Sequence, residues 1–364
     1  MPVIFEQFPG LASSLPHVPL GVFPTPVDRL ERLGEDLGLG GLWIKRDDLS
    51  GETYGGNKIR KLEFLLGRAV AERRREVMTY GAAGSNHALA TAIYAKAIGM
   101  RGISMLTPQP NARYIRKNLL MSLAVGAELI HCGSHRYRKP KTLATCMGKR
   151  LAYGRTPMII PVGGTSPLGT VGFVEAAFEL AAQIRDGVLP EPDMIYVAFG
   201  SMGTAAGIAL GLKAAGIASH VEMVRVVPEM MSNSGKFRSL VAETAALLHS
   251  ADPSFPGIEP GDLNCALRDG FFGEEYARFT PEGVEAMKRM KDTEGIVLEG
   301  TYTGKTFAAL LADAGSGRLK GKTALFWNTY NSRDLTPHIR DLDYHDLPRP
   351  FHRYFEEDFQ PLDE

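Results

Sequence analysis

Three short stretches place reactive or anion-binding side chains at turns. The first is Tyr54-Gly55-Gly56-Asn57-Lys58-Ile59-Arg60-Lys61-Leu62-Glu63, where two glycines precede a lysine that opens a helix. A positive helix end disfavours a further positive charge, so it lowers the pKa of a lysine and suits the amine to nucleophilic and base chemistry. The same residues equally suit a glycine turn, an Asn cap and a surface lysine. The second stretch, Gly81-Ala82-Ala83-Gly84-Ser85-Asn86-His87, follows a predicted strand and opens a helix, which aims backbone N–H groups and short polar side chains at an anion such as a carboxylate. It also reads as a simple cap with a structural histidine. The third, Gly200-Ser201-Met202-Gly203-Thr204, combines glycines, hydroxyls and a helix dipole into a phosphate cup, without the lysine of a Walker loop or the spacing of a dinucleotide fingerprint.

These turns need a frame. From residue 57 the apolar pattern alternates between helical and strand periods. The spacing predicts helices over 57–72, 86–98, 112–124, 141–152, 171–185, 204–215, 282–293 and 304–313, and strands over 77–81, 102–106, 127–131, 158–162, 194–199, 221–227 and 324–327. Such alternation implies an α/β fold, with two open parallel sheets carrying helices on both faces. The Pro- and Asp-rich tail beyond residue 336 reads as an extended arm at the surface or a subunit contact.

Composition narrows the functions available. At 364 residues, with 41 basic and 41 acidic side chains, the chain has no net field to draw it to nucleic acid or to acidic membranes. The run Arg73-Arg74-Arg75 reads as the solvated end of a helix. Cys132, Cys146 and Cys265 are odd in number, widely spaced and without a CxxC pair, which argues against disulfides and structural zinc. Prolines 2, 9, 16 and 19 interrupt the N-terminus, no apolar run matches a signal peptide or a membrane span, and the default expectation is the cytoplasm.

In order and spacing the three stretches resemble the fold-type II (tryptophan synthase β-like) pyridoxal 5′-phosphate (PLP) enzymes, in the branch holding 1-aminocyclopropane-1-carboxylate (ACC) deaminases and D-cysteine desulfhydrases. The resemblance runs from Lys45-Arg46-Asp47-Asp48 to Thr329 and includes Pro161-Val162-Gly163-Gly164, Pro167-Leu168-Gly169 and Tyr302-Thr303-Gly304-Lys305. It implies PLP in a cleft between a large domain (1–54 and 161–364) and a smaller inserted domain (55–160), and a homodimer. Lys58 would form the Schiff base with the cofactor and then move the Cα proton. Ser85, Asn86 and His87 would meet the substrate carboxylate and the cofactor ring, with Asn86 at the ring hydroxyl. Gly200, Ser201, Met202, Gly203 and Thr204 would hold the phosphate. Tyr276 and Tyr302 match two active-site tyrosines for proton transfer or substrate orientation, although either also suits an ordinary buried tyrosine.

Position 303 bears on the reaction. The resemblance implies a glutamate there in ACC deaminases, keeping the pyridine nitrogen protonated; Thr303, as in desulfhydrases, leaves it largely neutral. A weaker electron sink favours loss of a good β-substituent over opening of a cyclopropane. The expected reaction on a small amino acid is therefore Cα deprotonation, β-elimination and release of a 2-oxo acid and ammonia. ACC deamination, β-replacement synthesis and a catalytically silent binder of PLP or an amino acid are the alternatives. Three departures from the family pattern stand out: Met202 replaces a small residue and Asn328-Thr329-Tyr330-Asn331 a His-Thr-Gly-Gly-like segment, adding bulk near the cofactor rim that would reshape the substrate pocket, and Leu298-Glu299-Gly300-Thr301 replaces a Leu-Asp-Pro-Val ahead of the tyrosine. Thr329 and Tyr330 thereby become candidate substrate contacts.

Overall fold

The computed structural model describes residues 1–363. Helices α1 (Val3–Gln7) and α2 (Pro9–Ser14) lead into β1 (Val27–Arg29), α3 (Glu31–Leu37) and β2 (Gly41–Lys45). Regular alternation follows through α4 (Lys58–Ala71), β3 (Glu76–Ala82), α5 (Asn86–Ala97), β4 (Arg101–Thr107), α6 (Arg113–Ala124), β5 (Glu128–His131), α7 (His135–Tyr153) and β6 (Met158–Ile159). It resumes with α8 (Pro167–Arg185), β7 (Met194–Phe199), α9 (Gly203–Ala214), β8 (His220–Arg225), α10 (Ser234–Ala251) and β9 (Cys265–Arg268). Then come α11 (Pro281–Glu294), α12 (Thr303–Gly315), β10 (Thr323–Trp327) and two short helices, α13 (Thr336–Ile339) and α14 (Arg353–Glu356).

The strands form two sheets, ordered β1-β2-β10-β7-β8-β9 and β5-β4-β3-β6. Every pairing is parallel except β1 on β2, an antiparallel edge. Because parallel strands have both faces covered, β7 and β10 carry almost unbroken apolar runs. Helices α8, α9 and α10 cover one face of the larger sheet, and α11, α12 and α3 the other. No helix among the described residues is long and apolar enough to cross a membrane.

Four expectations change. The strand expected over 158–162 shrinks to two residues, Met158 and Ile159, and the latter is exposed. Pro161 lacks an N–H for a ladder, and Gly163 and Gly164 turn the chain through positive φ. Helix α7 begins at His135, one and a half turns early, and accommodates Pro140 near its N-terminus. Helix α10 escapes the alternation rule, although Phe237, Leu240, Val241, Thr244 and Leu248 have helical spacing and Asn233 caps it by accepting the Lys236 N–H. The tail is no extended arm: Leu347, Phe351 and Tyr354 are buried against α6 residues Ile115 and Leu119.

A buried ionic network ties α4 to the larger sheet. Arg60 donates to both carboxylate oxygens of Asp47 (3.1 and 3.0 Å) and to Glu179 on α8 (3.0 Å), while Lys45 at the end of β2 meets Glu179 at 2.5 Å. The Trp327 indole N–H donates to Asp47 (2.8 Å). Glu179 is held down to about 2, because Arg60 and Lys45 outweigh the upward push of burial. Such a network contributes less to stability than its count of contacts suggests, since each ion loses its water; its geometric effect is to fix the orientation of α4.

Candidate active site

The C-terminal ends of β3, β7 and β10 and the start of α4 converge on one cavity of about 1040 Å³. Parallel sheets place their loops, and hence their sites, at this edge. Lys58, Ser85, Asn86, His87, Gly200, Ser201, Met202, Thr204, Tyr276, Tyr302, Thr303, Thr329 and Tyr330 all line it. Gly203 lies just behind the surface, its N–H donating to the Ser201 carbonyl (3.0 Å).

Lys58 is the first residue of α4. Gly56, at φ +93°, makes the turn possible, because a Cβ there would stand 2.9 Å from the Thr329 carbonyl oxygen. The same carbonyl accepts the Asn57 N–H (3.1 Å), so the departing Asn328–Asn331 segment braces the lysine turn. Burial lowers Lys58 to about 8, and Glu299 opposes that shift. The downward direction matches the sequence reading; the leading cause is desolvation.

The glycine cup is joined directly to this turn, for Asn57 Nδ2 donates to Thr204 Oγ1 (3.0 Å). A Cβ on Gly203 would stand 2.9 Å from Lys61 Nζ, 3.2 Å from Thr170 Oγ1 and 3.3 Å from Thr165 Oγ1. Both threonine hydroxyls are buried without a partner among the described residues. Lys61 is fully buried, donates to the Gly163 carbonyl (3.2 Å) and is held well below an ordinary lysine by burial and by Lys58. Unpartnered hydroxyls, a buried amine and a helix N-terminus are the donor set a phosphate group satisfies. Lys61, Thr165 and Thr170 therefore extend the cup beyond the residues read from the sequence. One signal was available, since Lys61 follows Lys58 by three positions and so lies on the same helix face.

Across the cavity, Ser85 caps α5 by accepting the Ala88 N–H (3.2 Å). Asn86 Oδ1 accepts from Tyr54 Oη (3.2 Å) and Asn118 Nδ2 (3.0 Å), which orients its own amide NH2 away from those donors. Both ring nitrogens of His87 are buried without a partner among the described residues, and burial with Lys58 and Lys61 holds the ring neutral. The Tyr276 and Tyr302 hydroxyls meet at 2.5 Å, and burial raises both above ordinary tyrosine, so both keep their protons. Thr303 opens α12, and its Oγ1 accepts the Glu299 N–H (2.9 Å). Met202 adopts a left-handed φ of 70°, a conformation that favours glycine.

An α/β frame with a helix-mouth lysine beside a glycine cup whose donors suit a phosphate is a setting fit for a phosphorylated cofactor. Residues 18–329 match the family described as "Pyridoxal-phosphate dependent enzyme". The chain belongs to that family and depends on pyridoxal phosphate. It is 36% identical over 322 residues to a Pyrococcus furiosus protein provisionally named 1-aminocyclopropane-1-carboxylate deaminase, covering 88% of this chain and 93% of that one. It is 33% identical to D-cysteine desulfhydrase of Yersinia enterocolitica, covering 82% and 88%. The crystal structure of an ACC deaminase homologue superposes with a TM-score of 0.75 at 32% identity, covering 96% of this chain and 99% of that one. Threonine deaminase isoform 2 from Solanum lycopersicum, in its processed form, shares the fold at a TM-score of 0.60 and 15% identity, covering 92% of this chain and 88% of that one.

Proposed function

We propose that the protein is a lyase that removes a β-substituent from a small amino acid and releases a 2-oxo acid and ammonia, in the manner of a D-cysteine desulfhydrase. The observation that carries the reading is the Asn57–Thr204 hydrogen bond of 3.0 Å, which sets the Lys58 turn against the glycine cup. In this reading the cup, Lys61, Thr165 and Thr170 hold the phosphate, the Asn86 amide serves the ring hydroxyl and Thr303 the ring nitrogen. Bound pyridoxal phosphate supplies an aldehyde for amines and a conjugated ring that accepts the electron pair left at Cα.

The chain's own residues do the rest. Lys58 Nζ would hold the cofactor through its aldehyde carbon and would accept the Cα proton of the substrate; an amine near pKa 8 is suited to both tasks. Ser85, neutral His87 and the N-terminus of α5 receive the substrate carboxylate. The protonated Tyr276–Tyr302 pair supplies a proton to the leaving group, and Thr329 and Tyr330 bound the far wall. The domain division stays as the sequence suggests, 1–54 and 161–364 against 55–160, and it is supported by the separate sheets, although α4 also packs on α8.

A hydroxyl at position 303 favours elimination over ring opening. ACC deamination is the second reading, because the Pyrococcus furiosus relative bears that name. Purified protein given D-cysteine, L-cysteate, D-serine and ACC is expected to release 2-oxo acid and ammonia from a substrate with a β-leaving group and none from ACC. Turnover of ACC alone would reverse the order, and a spectral change without product would favour a silent binder.

A homodimer is part of the proposal. Helix α7 turns its polar side inward, with Lys149 bound to Glu76 and Glu128, and leaves Leu143, Met147 and Leu151 outside at 63, 57 and 86% exposure. A second copy would bury that stripe. Light scattering is expected to give twice the chain mass of 39.6 kDa, and a monomer at micromolar concentration would remove the claim. The free thiols of Cys132, Cys146 and Cys265 support a reducing, cytoplasmic setting.

A further inference from the structure

Glu299 lies in the segment that departs from the family pattern, and no role in the site has yet been given to it. It is 5% exposed and lines the cavity. Its carboxylate accepts the backbone N–H groups of Thr301 (2.9 Å), Tyr302 (2.5 Å) and Thr303 (3.2 Å) at the mouth of α12. In return the Thr303 hydroxyl accepts the Glu299 N–H (2.9 Å). The two residues whose side chains face the proposed reaction, Tyr302 and Thr303, thus hang from one carboxylate. The departure extends to the neighbouring residue: a Cβ on Gly300 would stand 2.4 Å from Phe279 Cδ1, so the proline of the family pattern does not fit here.

We propose that Glu299 is the positioning residue of the active site, fixing Tyr302 and Thr303 through their backbone and supplying the buried negative charge that faces Lys58. The inference rests on the reading that Lys58 carries the cofactor. Burial raises Glu299 above an ordinary carboxylate, and the three N–H donors at the helix mouth oppose that and favour the anion. The groups under its influence are Lys58 on α4, Tyr302 and Lys305 at the start of α12, Tyr114 on α6, and Tyr54, Tyr276 and Tyr330 in loops. Lys61 and His87 also feel the Lys58 charge, and Lys61 is a second potential positive charge. An anion at Glu299 stabilises a proton on the Lys58 nitrogen; without it that nitrogen loses its proton at lower pH.

The test compares wild-type holoenzyme with Glu299→Gln, which keeps shape and one acceptor oxygen but no charge, and with Glu299→Asp, which keeps charge but shortens the arm. Each is titrated from acid to alkaline pH by the absorbance of the lysine-bound cofactor, with circular dichroism as the check on folding. In Glu299→Gln the midpoint is expected to fall by about one pH unit or more. In Glu299→Asp the midpoint should stay near wild type while kcat drops more than KM changes, because the Tyr302 and Thr303 backbone is released. Should the Gln variant not fold, that kcat-selective loss in Glu299→Asp is the deciding result, and unchanged kinetics overturn the inference. Superimposable titration curves for all folded variants would reduce Glu299 to a helix cap. Absence of the lysine-bound band in the wild type would instead overturn the assignment of Lys58, a separate failure.

Discussion

Lys58→Ala is expected to abolish the absorbance of the lysine-bound cofactor and to cut kcat/KM on the order of 10⁴-fold or more, because one amine both captures the aldehyde and moves the Cα proton. The environment argues for this lysine. With its pKa lowered to about 8, about one amine in ten is neutral at pH 7, against about one in three thousand for an unperturbed lysine. Capture of the aldehyde should therefore speed about tenfold for each pH unit up to about 8 and then level. Folding should survive the substitution, since Lys58 takes no part in the Arg60–Asp47–Glu179 network that anchors α4. An alanine variant that keeps both the band and normal turnover would remove the assignment.

Lys61→Met should change two properties in opposite directions. In the cofactor-free protein Lys61 is a fully buried amine that donates, among the described residues, to the Gly163 carbonyl alone (3.2 Å), and its charged form is disfavoured by burial and by Lys58. A methionine of similar length removes that penalty, so the melting temperature of the apoprotein should rise. With a phosphate in the cup the lysine makes a charge-assisted contact of about 1.5–3 kcal/mol, so the variant should bind PLP roughly ten- to a hundredfold more weakly. Unchanged cofactor affinity would mean that the cup around Gly203 is not the phosphate site.

The parts of this architecture legible in the sequence are those written in local pattern. Alternating periods locate the helices and strands from α4 to β8, and strand–glycine–helix junctions locate the turns at Ser85 and Ser201. The antiparallel edge formed by β1 is not legible, because a three-residue strand of Val27, Asp28 and Arg29 has too few residues for a period. Thr165 and Thr170 are equally silent: their relevance comes from a distance to Gly203 that only the docking of α8 on α9 creates. Glu299 announces itself only as a departure from a family pattern, and its reach to three backbone N–H groups depends on how α12 begins. Lys45 and Glu179, 134 positions apart, become partners only once β2 and α8 are packed. In each case the missing information is a long-range contact between ordinary residues.

The most direct test of the account is chemical mapping of the attachment point. Two lysines with lowered pKa lie three positions apart, one half-buried and lining the cavity and one fully buried beneath the cup. Reducing the holoenzyme with borohydride fixes the carbon–nitrogen link, and peptide mass spectrometry then locates it. The account predicts the added mass on Lys58 alone; finding it on Lys61, or on no lysine of this turn, would contradict it.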